Sequence, residues 1–221
     1  MHKLEDYLPF WEKLNKEEQT LLKDNCKTVN YKKGSHVYSA SEECLGVLVI
    51  LKGSLRTYIL SDEGREVTLY NLYENDVCVL SASCVLSQIT FDVFVDARED
   101  CSLLLISPAA FSSVMKTNVY AENFMLRITA ERFSDTMWAM QQILFMGFDK
   151  RLAIYLLDEM NRKNTNVIKT THGDIAKEIG SAREVVSRML KSFAEDGVVS
   201  INRGAVEIIN KKYLQNLVRN Q

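Results

Sequence analysis

The chain has no apolar run approaching the ~18 residues that a membrane span requires, and no charged-then-apolar leader opens it. A cytoplasmic protein without a membrane partner is therefore expected. The five cysteines, Cys26, Cys44, Cys78, Cys84 and Cys101, form no C-x-x-C pair and are odd in number, which argues against a disulfide framework. Several lie in apolar runs, where a thiol behaves as a small hydrophobe. Buried thiols are the expectation, with Cys78 and Cys84 in DVCVLSASCVL left as a redox or metal-sensing alternative. Histidine is scarcer still: His2, His36 and His172 are all there is. With no Ser-His-Asp or Cys-His arrangement, no phosphate loop and no metal-spaced histidine pair, the sequence supports no enzyme and assigns no metal ligands.

Charge of one sign is also missing overall, since the formal net charge is only -2. Its distribution is uneven. From Asp149 onward there are 13 Lys and Arg against 9 Asp and Glu, and before it 14 against 20. A modest basic surplus in the last third suits an anionic partner there. With 221 residues, 47% of them hydrophobic, the chain can bury a core of one or two domains.

That basic third holds the most informative stretch, THGDIAKEIGSAREVVSRMLKSF from Thr171 to Phe193. Thr171 followed by Asp174 approximates a capping box, Ile175 and Ile179 give a short helix its buried side, and Gly180 permits a sharp turn. Ser181 and Glu184 repeat the capping pattern. Val186, Met189, Leu190 and Phe193 then recur at helical spacing, which leaves Arg183, Glu184, Ser187 and Arg188 outside. Arginine can bond guanine O6 and N7 in a bidentate way and glutamate can accept from cytosine N4, so this face suits the major groove of double-stranded DNA. The same face would also serve as an ordinary solvated surface, and Glu184 could be spent on its own helix. Gly197 ends the second helix. Strands over Val198–Ile201 and Ala205–Ile209 then flank an Asn202-Arg203-Gly204 turn, making a wing whose Arg203 can reach a phosphate.

The first 25 residues read as a short helical leader in which Asn15 is a plausible N-cap. From Thr28 to Ile106 the chain turns to β-branched and aromatic runs cut by Gly, Asn and Asp, including a hairpin from Leu55 to Leu72 around Asp62-Glu63-Gly64. Many short strands imply an antiparallel barrel or sandwich. Leu126, Ala130, Phe133, Met137, Met140 and Leu144 then alternate spacings of four and three, the seam of a coiled coil. A helix from about Asn118 to Met146 would carry that seam to a second copy of the chain. Phe124, Ile128, Trp138 and Ile143, off the seam, suggest contact with the strands as well. Gly147 weakens the helix, and Asp149 can cap the next.

VLVILKGSLRTYILSDEGREVTLYNLYENDV resembles the β-roll of the cyclic-AMP receptor and fumarate-nitrate reductase regulator (Crp/Fnr) family, with its KGS, EG-x-E and late Asp landmarks. THGDIAKEIGSAREVVSRML resembles that family's recognition motif, and the two stand in the family's order. The resemblance implies an α+β chain with a cyclic-nucleotide-binding-like β-roll over residues 1–117, a dimerisation helix and hinge over 118–148 and a winged helix-turn-helix over 149–221. It further implies a homodimeric bacterial transcription regulator that binds an inverted-repeat DNA site and works with RNA polymerase. The expected DNA-contacting set is Thr171, His172, Ser181, Arg183, Glu184, Ser187, Arg188 and Arg203, with His172 and Arg203 on phosphates.

The resemblance also implies an effector site, and there the sequence departs from the family. Where nucleotide-binding members carry Gly-Glu this chain reads Val79-Leu80, and near their Arg-Ser pair stand Phe91-Asp92. A cyclic phosphate needs donors and positive charge, so cyclic AMP is disfavoured. Val79, Leu80, Phe91, Phe94 and Ile128 would instead wall a pocket for a small hydrophobic effector, or simply fill a core. Haem is disfavoured because His36 is the only histidine of the β domain, and an iron-sulfur cluster because the N-terminal cysteine cluster is absent. An alternative from a different class remains, an accessory protein whose helical end docks on and regulates a partner protein.

Overall fold

A computed structural model describes residues 3–39, 45–79 and 92–219. The chain divides into two units, one of residues 1–61 and 69–137 and the other of residues 62–68 and 138–221.

The first unit opens with 3₁₀ turns at Leu4–Asp6 and Trp11–Lys13 and a helix, α1, at Lys16–Asp24. Asn15 caps α1 as its side chain suggested: its Oδ1 accepts from the Glu18 amide at 2.9 Å, and the Glu18 carboxylate accepts from the Asn15 amide at 2.9 Å. Eight strands follow among the described residues: β1 Cys26–Tyr31, β2 His36–Ser39, β3 Val47–Lys52, β4 Leu55–Leu60, β5 Glu66–Leu72, β6 Val77–Cys78, β7 Phe94–Ala97 and β8 Cys101–Ile106. They form two four-stranded sheets, ordered β1-β8-β3-β6 and β2-β7-β4-β5. Gly53 makes the step from β3 to β4. Its φ is +91°, and a Cβ there would stand 2.7 Å from the Asp100 carbonyl oxygen and 2.8 Å from Cys101 Sγ, so both conformation and space require glycine.

The strands β3 and β8, VLVILK and CSLLLI, are apolar almost throughout because both faces of their sheet are covered. Leu48, Ile50, Leu103 and Leu105 pack with Leu55, Leu72 and Val95 of the other sheet in an inter-sheet core. Their neighbours Val47, Val49, Leu104 and Ile106 join Leu8, Trp11, Leu22 and Phe111 in a second core on the helical side. Cys78 falls in the first core, while Val77 and Val79 fall in the second.

After β8 come α2, Pro108–Thr117, capped by the Ser107 hydroxyl, and α3, Val119–Phe145. Ala121, Met125 and Ile128 of α3 are buried in the helical-side core. The seam residues Leu126, Ala130, Phe133, Met137, Met140 and Leu144 are all exposed in the single chain, Phe133 at 67% and Leu144 at 64%.

The second unit contains α4 Phe148–Lys163, β9 Val167–Lys169, α5 His172–Glu178, α6 Arg183–Glu195, β10 Val199–Asn202, β11 Ala205–Ile208 and α7 Lys211–Arg219. Asp149 does not cap α4: Gly147 occupies the N-cap, and Asp149 sits in the first turn, where a carboxylate still favours the positive end of the helix. Leu152, Leu156, Ile168, Ile175, Val186, Leu190, Phe193, Val206 and Leu214 make the core. Glu159, buried on α4, is held by Arg162 at 2.9 Å and Lys163 at 3.1 Å. The wing is three-stranded in the order β10-β11-β9, so β9 adds a strand that the hairpin pattern did not reveal. Among the described residues no helix is long and apolar enough to cross a membrane.

Phe111 is fully buried where α2 meets the helical-side core. Phe111→Ala is expected to lower stability by about 3–5 kcal/mol, and Phe111→Leu by well under half of that. Urea unfolding followed by circular dichroism measures both.

Candidate nucleic-acid interface and regulatory site

The capping box read from the sequence starts α5. Thr171 Oγ1 accepts from the Asp174 amide at 3.1 Å, and Asp174 Oδ2 accepts from the Thr171 amide at 3.3 Å. The end of α5 differs from the expected pattern. Gly180 takes φ +60° and the Ser181 amide donates back to the Ala176 carbonyl at 2.9 Å, a Schellman closure. Ser181 is thereby part of the exit from α5, and Ala182, with extended backbone and no side-chain bond, is the N-cap of α6. The Ser181–Glu184 capping pair is therefore not formed, and Glu184 is an exposed first-turn residue without capping duty.

Two guanidinium groups fix this turn. Arg151 Nη1 donates to the Ile179 carbonyl at 2.9 Å, and Arg65 Nη2 donates to the Gly180 carbonyl. Cations suit these carbonyls, which a helix leaves unsatisfied at its negative end. Burial lowers the Arg151 pKa, as does the nearby Arg65 charge to a lesser degree. Residues 62–68 belong to the same unit, and their Glu66 and Thr68 add an ion pair with Lys177 Nζ at 2.9 Å and a hydroxyl donated to the Lys177 carbonyl at 2.9 Å.

Along α6, Val186, Leu190 and Phe193 are buried, and Arg183, Glu184, Arg188 and Lys191 are exposed. At 3.6 residues per turn, positions 183, 184, 187, 188 and 191 share one face opposite the buried one. Lys191 completes that face and was missed in the sequence, where Lys after Met-Leu reads as an ordinary helix-end charge. It lies 3.8 Å from the Glu195 carboxylate. Ser187, half-buried, does not stand alone, since its Oγ and His172 Nδ1 share a 2.8 Å hydrogen bond that ties α6 to α5. Arg203 is exposed in the turn between β10 and β11, whose register pairs Asn202 with Ala205 across Arg203 and Gly204.

Three of the five candidate effector residues, Val79, Phe94 and Ile128, lie among the described residues. Leu80 and Phe91 lie outside the described residues. Val79 and Ile128 are buried in the helical-side core. Phe94 alternates with the buried Val93 and Val95 and stacks on Tyr58 with ring centroids 5.4 Å apart, so strand periodicity puts it on the opposite face of β7. His36 shares that outer surface: its Nδ1 bonds Asp96 Oδ1 at 2.8 Å, and its ring lies 6.0 Å from Phe94. Cys44 and Cys84 are outside the described residues. Burial pushes the Cys26 and Cys101 thiols above their ordinary value, which disfavours the thiolate form.

Two family models match the chain, a cyclic nucleotide-binding domain over residues 28–118 and a Crp-like helix-turn-helix domain over residues 150–217. A solved structure of a Eubacterium rectale protein assigned to the crp/fnr family of transcriptional regulators is 42% identical and superposes with a TM-score of 0.94, covering 97% of this chain and 100% of its own. The cAMP-activated global transcriptional regulator Vfr of Pseudomonas aeruginosa is 26% identical over 187 residues, 80% of this chain and 86% of Vfr. The c-di-GMP-responsive global regulator CLP of Xanthomonas campestris shares the fold at 18% identity and a TM-score of 0.72, over 88% of this chain and 99% of its own.

The cap assignment has a direct consequence. Thr171→Ala should lower stability by about 1 kcal/mol, whereas Ser181→Ala should fall within about 0.5 kcal/mol of the parent. The comparison of thermal midpoints for the two variants checks it.

Proposed function

This chain belongs to the Crp/Fnr family and is a DNA-binding transcription regulator with an effector-binding domain, and from that premise we propose that it acts in the cytoplasm as a homodimer on an inverted-repeat operator, together with RNA polymerase, under the control of a small effector other than cyclic AMP. The observation that carries the DNA part is the exposed face of α6, with Arg183, Glu184, Ser187, Arg188 and Lys191 opposite the buried Val186, Leu190 and Phe193. A helix entering a major groove from its N-terminus would present Arg183, Glu184 and Arg188 to base edges. Thr171, His172 and Ser181 at the ends of α5, Lys191 farther along α6 and Arg203 in the wing would meet the backbone. A protein-docking module has no need of this guanine-reading pattern, which disfavours the accessory-protein alternative.

The dimer reading rests on the α3 seam, where Leu126, Phe133, Met137, Met140 and Leu144 leave a row of large apolar side chains in water. Such a row at heptad spacing is stabilised by an identical row on a second copy. The reading against cyclic AMP rests on chemistry. Val79 is buried among apolar side chains, and neither Leu80, Phe91 nor Asp92 supplies a donor for a phosphate. The relatives themselves differ in effector, cAMP for Vfr and c-di-GMP for CLP.

Selection from random duplexes tests the DNA reading. An inverted repeat with half-sites about one helical turn apart, ~34 Å, is expected. Arg183→Ala and Arg188→Ala should each cost roughly 1–3 kcal/mol per half-site and relax preference at one position, whereas Arg203→Ala should weaken all sequences alike and flatten the salt dependence. Unchanged preference in both α6 variants, with loss of preference in the Arg203 variant, would move base reading to the wing. Analytical ultracentrifugation tests the dimer: the parent should sediment as a dimer at micromolar concentration. Phe133→Asp, which buries two unpaired charges in the seam, should shift it towards monomer by several kcal/mol of association energy.

A further inference from the structure

On the outward face of α6, Ser187 is bonded across to α5: its Oγ and His172 Nδ1 lie 2.8 Å apart. Both residues are half-buried, so the bond is partly shielded from water. A hydroxyl inside a helix commonly returns its proton to the carbonyl one turn back. The Thr20, Thr129 and Thr136 hydroxyls do so, donating to the Lys16, Met125 and Arg132 carbonyls at 2.8 Å each. Among the described residues Ser187 makes no such bond to Arg183. Its single proton is therefore available to the Nδ1 of His172.

In a neutral imidazole one nitrogen donates and the other accepts. Nδ1 faces Ser187, and Nε2, on the far side of the ring, is the nitrogen left for DNA. A phosphate oxygen only accepts, so a backbone contact through His172 requires the proton on Nε2. Nδ1 is then a bare acceptor, and the Ser187 hydroxyl must turn its proton toward it. What Ser187 can still present outward is lone pairs. One proton position thus couples the two helices: a phosphate held from α5 decides the hydrogen-bond polarity of a residue on α6. In the major groove an acceptor-only hydroxyl fits the exocyclic amino groups, N6 of adenine and N4 of cytosine, and opposes the oxygens of guanine O6 and thymine O4. A freely rotating serine hydroxyl serves either kind and discriminates little.

We propose that His172 is a positioning residue for base reading: with Nε2–H on a phosphate, it holds the Ser187 hydroxyl as an acceptor and so selects an amino base, adenine or cytosine, at the position Ser187 meets. The inference deepens the DNA reading above and rests on it. It gives a backbone-contacting residue a share in sequence preference.

Two measurements on the intact protein test it, both at pH 8, where an ordinary imidazole is neutral. Long-range proton–nitrogen NMR spectra without DNA report the His172 tautomer. Protonated Nε2 with bare Nδ1 is expected, and a proton on Nδ1 would overturn the proposal. The second measurement is selection from random duplexes. In the parent, one position of each half-site should favour adenine or cytosine over guanine and thymine by about three- to tenfold, the worth of one hydrogen bond. Ser187→Ala should erase that preference and leave those that depend on Arg183 and Arg188, which also shows that the variant is folded. His172→Lys keeps a donor for phosphate but removes the ring acceptor, and should bring guanine and thymine to within about twofold of the amino bases at that position. His172→Arg repeats the substitution with a second cation. A map unchanged by Ser187→Ala, a guanine or thymine favoured at the Ser187 position of the parent, or an amino-base preference that survives both His172 variants brings down this inference alone. A parent with no sequence preference anywhere brings down the DNA reading, and this inference with it.

Discussion

The two-sided burial of β3 and β8 is the constraint on which the first unit depends. Their register, Val47 with Ile106 through Ile50 with Leu103, decides which alternate side chain enters which core. A slip of one residue would exchange the two sets and strand the helical-side residues Leu22, Phe111 and Met125 against the wrong partners. Because the side-chain period of a strand is two, one pairing thus sets both the inter-sheet core and the seating of α2 and the first half of α3. The exposed half of the α3 surface follows from the same seating. Once Ala121, Met125 and Ile128 face the strands, the heptad positions point elsewhere.

In the second unit the corresponding constraint is the turn at Gly180. A residue with a Cβ is strained at φ +60°, and only there can the chain close α5 through the Ser181 amide and re-enter a helix at Ala182. The angle between the two helices is thereby set over a few residues. Arg151 and Arg65 satisfy the carbonyls this leaves open, and the His172–Ser187 bond ties the helices together. These polar contacts brace α6 without using its exposed arginines.

Much of this protein was legible without coordinates. The caps at Asn15 and Thr171, the exit glycines at 180 and 197, the Leu55–Leu72 hairpin and the heptad of α3 are encoded within windows of a few residues, where backbone hydrogen bonding and side-chain periodicity are local. The helix-turn-helix and the β-rich first unit were read correctly for that reason. What the tertiary structure alone decided was the fate of individual faces. Ser181 looked like a cap because its spacing to Glu184 is right, but the preceding Schellman closure had already claimed it. Val79 and Phe94 looked like pocket residues because they are apolar and near the family's landmarks. Strand alternation, fixed by pairings between segments tens of residues apart, turned one into the helical-side core and the other outward onto Tyr58.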